Sequence, residues 1–250
     1  MMNCKSKSIP CDMSINSVCD DKSSTELTDP KEYREIVGSL IYAMTGTRPD
    51  LCYVVTRLSQ FMSKPTKAHL GIAKHVLKYI KGTLDYNLKF SKSCEPLKLI
   101  GYCDSDWGNI DDRRSITGYC FLMNDEGGLI SWKSKKQRVV ALSTCEAEYM
   151  SITYAMQEAN FIRNLYSDLT GCDKEYVTLF VDNQSAIALA ENPVHHQRSK
   201  HIDVRYHFIR SEVEAGIVKL MYVSSESNIA DLFTKPFSKS KLEKFKVIRG

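Results

Sequence analysis

Residues 97–104 read Leu97-Lys98-Leu99-Ile100-Gly101-Tyr102-Cys103-Asp104. A short run of apolar and aromatic residues closed by an acid predicts a strand, Leu97–Cys103, with a carboxylate at its carboxyl end. A second run, Tyr176–Val181 (YVTLFV), is apolar throughout, as a buried strand must be, and Asp182 follows at once. The carboxyl edge of an open α/β sheet is where ligands bind. A charge left there is costly to desolvate unless it is paired or holds a cation. A single such aspartate is explained as a loop cap; two on central strands weaken that explanation.

Between the two runs, Ser143 or Thr144 caps a long helix predicted to run to about Leu169. Cys145, Tyr149, Ile152, Met156 and Ala159 form its apolar stripe. At about 100° per residue Glu148 falls inside this stripe and Glu146 points well away, so Glu148 needs a partner and Glu146 fits a solvated face. Ile116–Met123 and Gly128–Trp132 predict a hairpin about Asn124-Asp125-Glu126-Gly127, and Val139–Leu142 a short extended stretch. Helices are expected from about Gln184 to Ala190 and Ser199 to Ala215, with a strand at Ile217–Val223 and a last helix from about Ser227. Strands first, then alternation, describe an α/β fold with a mixed five-stranded sheet flanked by helices.

Asp231, in Asn228-Ile229-Ala230-Asp231-Leu232-Phe233, is by itself an ordinary first-turn acid favoured by the helix dipole. It gains weight as a fourth member beside Asp104, Glu148 and Asp182. Hard divalent cations take oxygen ligands, and Mg²⁺ uses one or two carboxylates plus water and phosphate. Two such ions about 4 Å apart suit in-line displacement at phosphorus.

Upstream, Tyr33, Ile36, Val37 and Leu40 have helical spacing, and Arg48-Pro49-Asp50 breaks it. Leu51, Val54, Val55, Leu58 and Phe61 make a second stripe. Thr66 caps a third helix carrying Leu70, Ala73, Val76, Leu77 and Ile80, closed by Gly82. These predict a small all-α segment over residues 30–96, with residues 1–29 a disordered lead, 97–237 the α/β domain and 238–250 a tail.

The 250 residues include 34 Lys+Arg against 30 Asp+Glu, a net charge of +4, too small to diagnose nucleic-acid binding. Residues 101–250 are nearly neutral yet carry dense clusters of both signs, as suits a protein that holds cations and phosphates side by side. The 9 cysteines form no C-x-x-C pair, which speaks for reduced intracellular thiols over a disulfide framework or zinc ribbon. The polar amino-terminal residues lack the apolar core of a signal peptide.

Several motifs together resemble the ribonuclease H domain of copia-type LTR-retrotransposon Pol polyproteins. They are Gly101-Tyr102-Cys103-Asp104-Ser105-Asp106-Trp107-Gly108, Asp112-Arg113-Arg114-Ser115, Ile130-Ser131-Trp132-Lys133 and Ala141-Leu142-Ser143-Thr144. Glu146-Ala147-Glu148-Tyr149, Val181-Asp182-Asn183-Gln184-Ser185-Ala186, Lys200-His201-Ile202-Asp203 and Ala230-Asp231-Leu232-Phe233-Thr234-Lys235 follow in family order. Tyr33–Leu40, Gly46–Leu51 and Tyr79–Thr83 resemble the thumb and connection of the reverse transcriptase. The resemblance implies a ribonuclease H-like fold and an endonuclease that cuts the RNA strand of RNA–DNA hybrids with two Mg²⁺ ions (or Mn²⁺). It puts the family's Asp, Glu, Asp, Asp set on Asp104, Glu148, Asp182 and Asp231, with Asp106 an alternative to Asp104. It also implies a reverse-transcriptase palm and fingers as partner, and a cytoplasmic or nuclear setting without secretion. Two departures stand out: no Tyr-x-Asp-Asp polymerase segment occurs, so no DNA synthesis is expected of this chain alone, and Val223–Asn228 is short and lacks the histidine of cellular ribonucleases H.

Arg113, Arg114, Lys133, Lys135, Lys136 and Arg138 suit phosphate contacts, which position a duplex without reading bases. Asn183 and Gln184 suit hydrogen bonds to a groove. The stretch holding Arg198, Lys200 and His201 reads as a basic edge over nucleic acid and poorly as a zinc site. Trp107 and Trp132 read as core aromatics. The competing function is a catalytically idle or domesticated nucleic-acid-binding module.

Overall fold

The computed structural model describes residues 4–90, 98–108, 112–124, 127–172, 176–191 and 200–249. The chain divides into two compact units, the first comprising Met1–Lys89, Asn109–Asp112 and Lys235–Gly250, the second Phe90–Gly108 and Arg113–Thr234.

The first unit is helical: α1 (Ile15–Cys19), α2 (Lys31–Gly46), α3 (Cys52–Ser59) and α4 (Lys67–Lys81). Tyr33, Val37 and Leu40 of α2, Leu51 with Val54, Val55 and Leu58, and Ala73 and Val76 of α4 are buried, as their spacing predicts. Thr66 caps α4 by accepting from the His69 amide, and the His69 side chain in return accepts from the Thr66 amide. The break at residues 48–50 is a buried polar knot. The Arg48 guanidinium donates to both Asp50 oxygens at 3.0 and 2.8 Å and to the Thr83 hydroxyl at 2.7 Å, while Tyr79 donates to Asp50 at 2.7 Å.

Two expectations fail here. Residues 4–29 are not a disordered lead: Cys11, Ile15 and Cys19, four apart, are buried, an apolar stripe too short to stand out among polar neighbours. The expected tail contains α8 (Lys239–Arg249), with Leu242 and Phe245 buried.

The second unit holds the sheet. Its strands are β1 (Leu99–Asp106), β2 (Ile116–Met123), β3 (Leu129–Lys136), β4 (Val177–Val181) and β5 (Val218–Tyr222), in the order β3-β2-β1-β4-β5. β1 pairs antiparallel with β2 and parallel with β4, and β4 pairs parallel with β5. α5 (Thr144–Thr170) lies on this sheet, with α6 (Gln184–Glu191) and α7 (Lys200–Glu214) in the crossover between β4 and β5. Tyr149, Ile152, Met156 and Ala159 join Cys103, Phe121, Leu179 and Val181 in one apolar core. Ser143, not Thr144, caps α5 by accepting from the Glu146 amide, and Gly171 closes it at φ 68°.

The architecture is the expected mixed five-stranded sheet, with local corrections. β1 continues two residues past Asp104, because Asp104 and Asp106 stay in register with Gly118 and Ile116 of β2. β3 runs on to Lys136, its lysines lying on an edge strand where charge blocks further pairing. Val139–Leu142 forms no strand; Val139, Val140 and Leu142 are exposed. The last helix expected from Ser227 is instead a 3-10 turn, Ile229–Phe233, and the second unit ends at Thr234.

That turn packs on β1 and β2 through a glycine. A Cβ on Gly118 would come within 2.7 Å of Phe233 Cβ and Thr234 Cγ2 and 3.0 Å of the Ala230 carbonyl. Gly118→Ala is therefore expected to destabilise the protein by about 1–3 kcal/mol, read as a lowered denaturation midpoint in urea at unchanged slope.

Candidate metal centre

Asp104, Glu148 and Asp182 each offer a carboxylate oxygen, and the three oxygens lie within 4.8 Å of one another. Asp104 projects from β1, Glu148 from the sheet-facing stripe of α5, and Asp182 follows β4 directly. Asp104 and Glu148 are buried and Asp182 is half-buried. Among the described residues this is the only such group of potential metal ligands.

Two of the three carboxylates are held from behind. Glu148 Oε1 accepts from the Ser105 amide at 3.0 Å and from the Ser105 hydroxyl at 2.9 Å. Glu148 Oε2 is buried and takes no hydrogen bond. Thr234 donates to Asp104 Oδ2, Ser151 donates to the Asp104 carbonyl at 2.7 Å, and Asn228 donates to the Cys103 carbonyl at 2.9 Å. Burial first, and then the charges of Asp104 and Asp182, push the Glu148 carboxyl well above the usual carboxylate range. Burial likewise pushes the Cys103 thiol up, with Glu148, Asp104 and Asp182 adding to it.

Three acids in this space repel one another, and an oxygen-seeking cation is the group that reverses the sign of the interaction. An orphaned oxygen on Glu148 beside two further carboxylates fits a hard divalent ion.

Asp231 is not in the group of three. It is buried in the 3-10 turn, whose neighbouring residues Asn228 and Thr234 reach Cys103 and Asp104. Asp106, half-buried, also lies outside the group. Glu146 accepts from the Leu142 amide at 2.8 Å, consistent with a capping role at the start of α5.

Of the expected nucleic-acid contacts, Arg113, Arg114, Lys133 and Gln184 are exposed, and Lys135 and Lys136 half-buried. Asn183 is engaged: its Oδ1 accepts from the Ala186 amide at 3.0 Å at the start of α6. Arg198 lies outside the described residues, as do the side chains of Lys200 and His201. Trp107 is no core aromatic: it is 47% exposed, its indole N–H donating to the Ala141 carbonyl at 3.0 Å, because β1 carries it past the sheet. Ser105, Ser151, Asn228 and Thr234 escaped the sequence reading. Their only signal was adjacency to the acids, and their function depends on a register invisible before folding.

A β3-β2-β1-β4-β5 sheet carrying its acids on β1, after β4 and on the covering helix defines a ribonuclease H-like fold. No family model matches the chain. The Retrovirus-related Pol polyprotein from transposon RE1 of Arabidopsis thaliana is 43% identical over 224 residues, covering 89% of this chain and 15% of its own length. That from transposon TNT 1-94 of Nicotiana tabacum is 44% identical over 219 residues, 87% of this chain and 16% of its own. Over most of its length the chain is thus similar to copia-type retrovirus-related Pol polyproteins, and it spans about a sixth of the length of these relatives. Secreted RxLR effector protein 161 of Plasmopara viticola is 48% identical over 128 residues, 51% of this chain and 88% of that protein.

Among solved structures, the foamy viral protease-reverse transcriptase in complex with dsDNA matches at TM-score 0.50 and 10% identity, covering 84% of this chain and 40% of that one. RNase H1 of Halobacterium salinarum matches at TM-score 0.41 and 16% identity over 59% of this chain and 98% of that one.

The charge crowding has a measurable consequence without metal. A carboxyl whose folded-state pKa is raised costs stability as pH climbs from the unfolded value through the folded one. Glu148→Gln keeps an acceptor for Ser105 and removes the charge. Its metal-free form is expected to unfold at a Tm higher by roughly 2–4 °C, about 1 kcal/mol, at neutral pH. The gap should close on acidification below the carboxylate range, as followed by circular dichroism in EDTA.

Proposed function

We propose that this chain is a ribonuclease H that hydrolyses the RNA strand of RNA–DNA hybrids, as part of retrotransposon reverse transcription. The observation that carries it is the trio of Asp104, Glu148 and Asp182 with a buried, unengaged Glu148 oxygen. These acids would hold two divalent cations, Mg²⁺ or Mn²⁺, with Asp231 the fourth carboxylate. When bound, such ions supply an activated water and neutralise charge on the scissile phosphate and the leaving oxygen. The chain's own residues set the geometry. Ser105 fixes the Glu148 carboxylate through Oε1 and leaves Oε2 unengaged, and Thr234 fixes Asp104. β1 and β4, side by side and parallel, bring Asp104 and Asp182 to the same sheet edge.

Kinship with Pol polyproteins and the likeness of fold to the foamy viral reverse transcriptase support this setting. The partners are an RNA–DNA hybrid and the reverse-transcriptase palm and fingers, with the helical unit in the place of thumb and connection. The setting is inside the cell, in cytoplasm or nucleus. No helix among the described residues is long and apolar enough to cross a membrane.

The test is cleavage of an end-labelled RNA–DNA hybrid beside RNA–RNA and DNA–DNA controls. Asp182→Asn is expected to lower the rate by about 10³-fold, roughly 4 kcal/mol of barrier, while remaining folded. Wild-type inactivity with intact hybrid binding would select the idle binding module instead. Thr234→Val removes the hydroxyl behind Asp104 and leaves all acids in place. It is expected to weaken Mn²⁺ binding by about 10–100-fold, measured by titration calorimetry.

A further inference from the structure

A second charge cluster in the same unit has the opposite sign. Lys135 of β3 sets its amine 4.3 Å from the centre of the Tyr154 ring of α5, and the Arg205 guanidinium of α7 approaches the same ring at 5.9 Å. Lys133 and Arg138 stand close enough to act on Lys135 electrostatically, as does Arg205. Among the described residues none of these four cations has a carboxylate partner. Glu158, one turn beyond Tyr154, is taken up by Ser131 at 2.7 Å and Tyr119 at 3.3 Å.

Edge-strand protection accounts for lysines on β3. It does not account for an arginine brought from α7 to the same aromatic ring. The ring orders both side chains and so lowers the entropy cost of using them together.

We infer that Lys135 and Arg205, which share the Tyr154 ring, form with Lys133 and Arg138 beside Lys135 an anion subsite that holds a backbone phosphate of the bound nucleic acid. This rests on the nuclease reading for the identity of the ligand. Two of its members, Tyr154 and Arg205, lie outside the set expected from the sequence. The amine of Lys135 is held below its usual pKa, by burial first and then by Lys133, Arg138 and Arg205, a strain that a phosphodiester relieves. A phosphate takes the guanidinium fork and the ammonium donors without any base being read. The subsite is thus sequence-neutral and independent of divalent metal.

The test is binding of a fluorescent RNA–DNA hybrid by the full chain in EDTA, across a NaCl series. Removing one cation that neutralises a phosphate should reduce the slope of log K against log[salt] by about 0.9. Arg205→Gln and Lys135→Gln are each expected to show that reduction and a several-fold weaker affinity. Arg205→Lys and Tyr154→Phe should stay near wild type, and Tyr154→Leu should fall between. Unchanged slopes in both Gln variants, with folding verified by circular dichroism, would overturn the subsite while hybrid cleavage, measured separately with metal, stood or fell alone. Reduced slopes in a protein that never cleaves hybrid would support the subsite and overturn the nuclease reading.

Discussion

Mutual repulsion among Asp104, Glu148 and Asp182 is the constraint around which the second unit is built. Nothing in a carboxylate favours burial beside two others, so the surroundings must hold it there. The apolar stripe of α5 does the holding: Tyr149, Ile152, Met156 and Ala159 are buried against the sheet, at roughly 1.5–3 kcal/mol for each large side chain. Glu148, on the same stripe, is carried in with these neighbours. Two hydrogen bonds from Ser105 then hold one of its oxygens and leave the other buried and unengaged.

Charge in this unit is sorted by sign. Acids gather at the parallel pair β1 and β4, cations on the edge strand β3 and on α7. A net charge of +4 conceals this arrangement, because opposite clusters cancel in the total. A polyanion and its counter-cations are both accommodated when each meets its own region, and the bulk value is silent about either.

Much of this was legible in the residues. Hydrophobic periodicity placed β2 to the residue and α5 to within one or two, and put Glu148 on the buried face and Glu146 elsewhere. What escaped was whatever depends on pairing. β1 outlasts Asp104 because β2 offers it partners, and β3 outlasts Trp132 for the same reason, although its last residues are polar. The buried Cys11, with Ile15 and Cys19 of α1, was hidden by polar neighbours. Asp231 remains the least physically anchored acid, since its 3-10 turn gives no periodic signal and lies outside the three-carboxylate group. Arg205 reaches Tyr154 from α7, where its neighbour Tyr206 stacks on Tyr149 at 4.1 Å, tertiary contacts that no local pattern encodes.

The turn at Ile229–Phe233 ties the two ends of the second unit together. Asn228 meets Cys103 across 125 residues of chain, and Thr234 meets Asp104 across 130. Contacts of such sequence separation are the slow ones in folding, because a long loop closes before they reward it. On a ribosome, β1 and its aspartate emerge far ahead of the threonine that fixes that aspartate. The carboxylate of Asp104 therefore gains its supporting hydroxyl only after synthesis has passed residue 234 and that last turn has docked, so the acid cluster is completed late in the making of the chain.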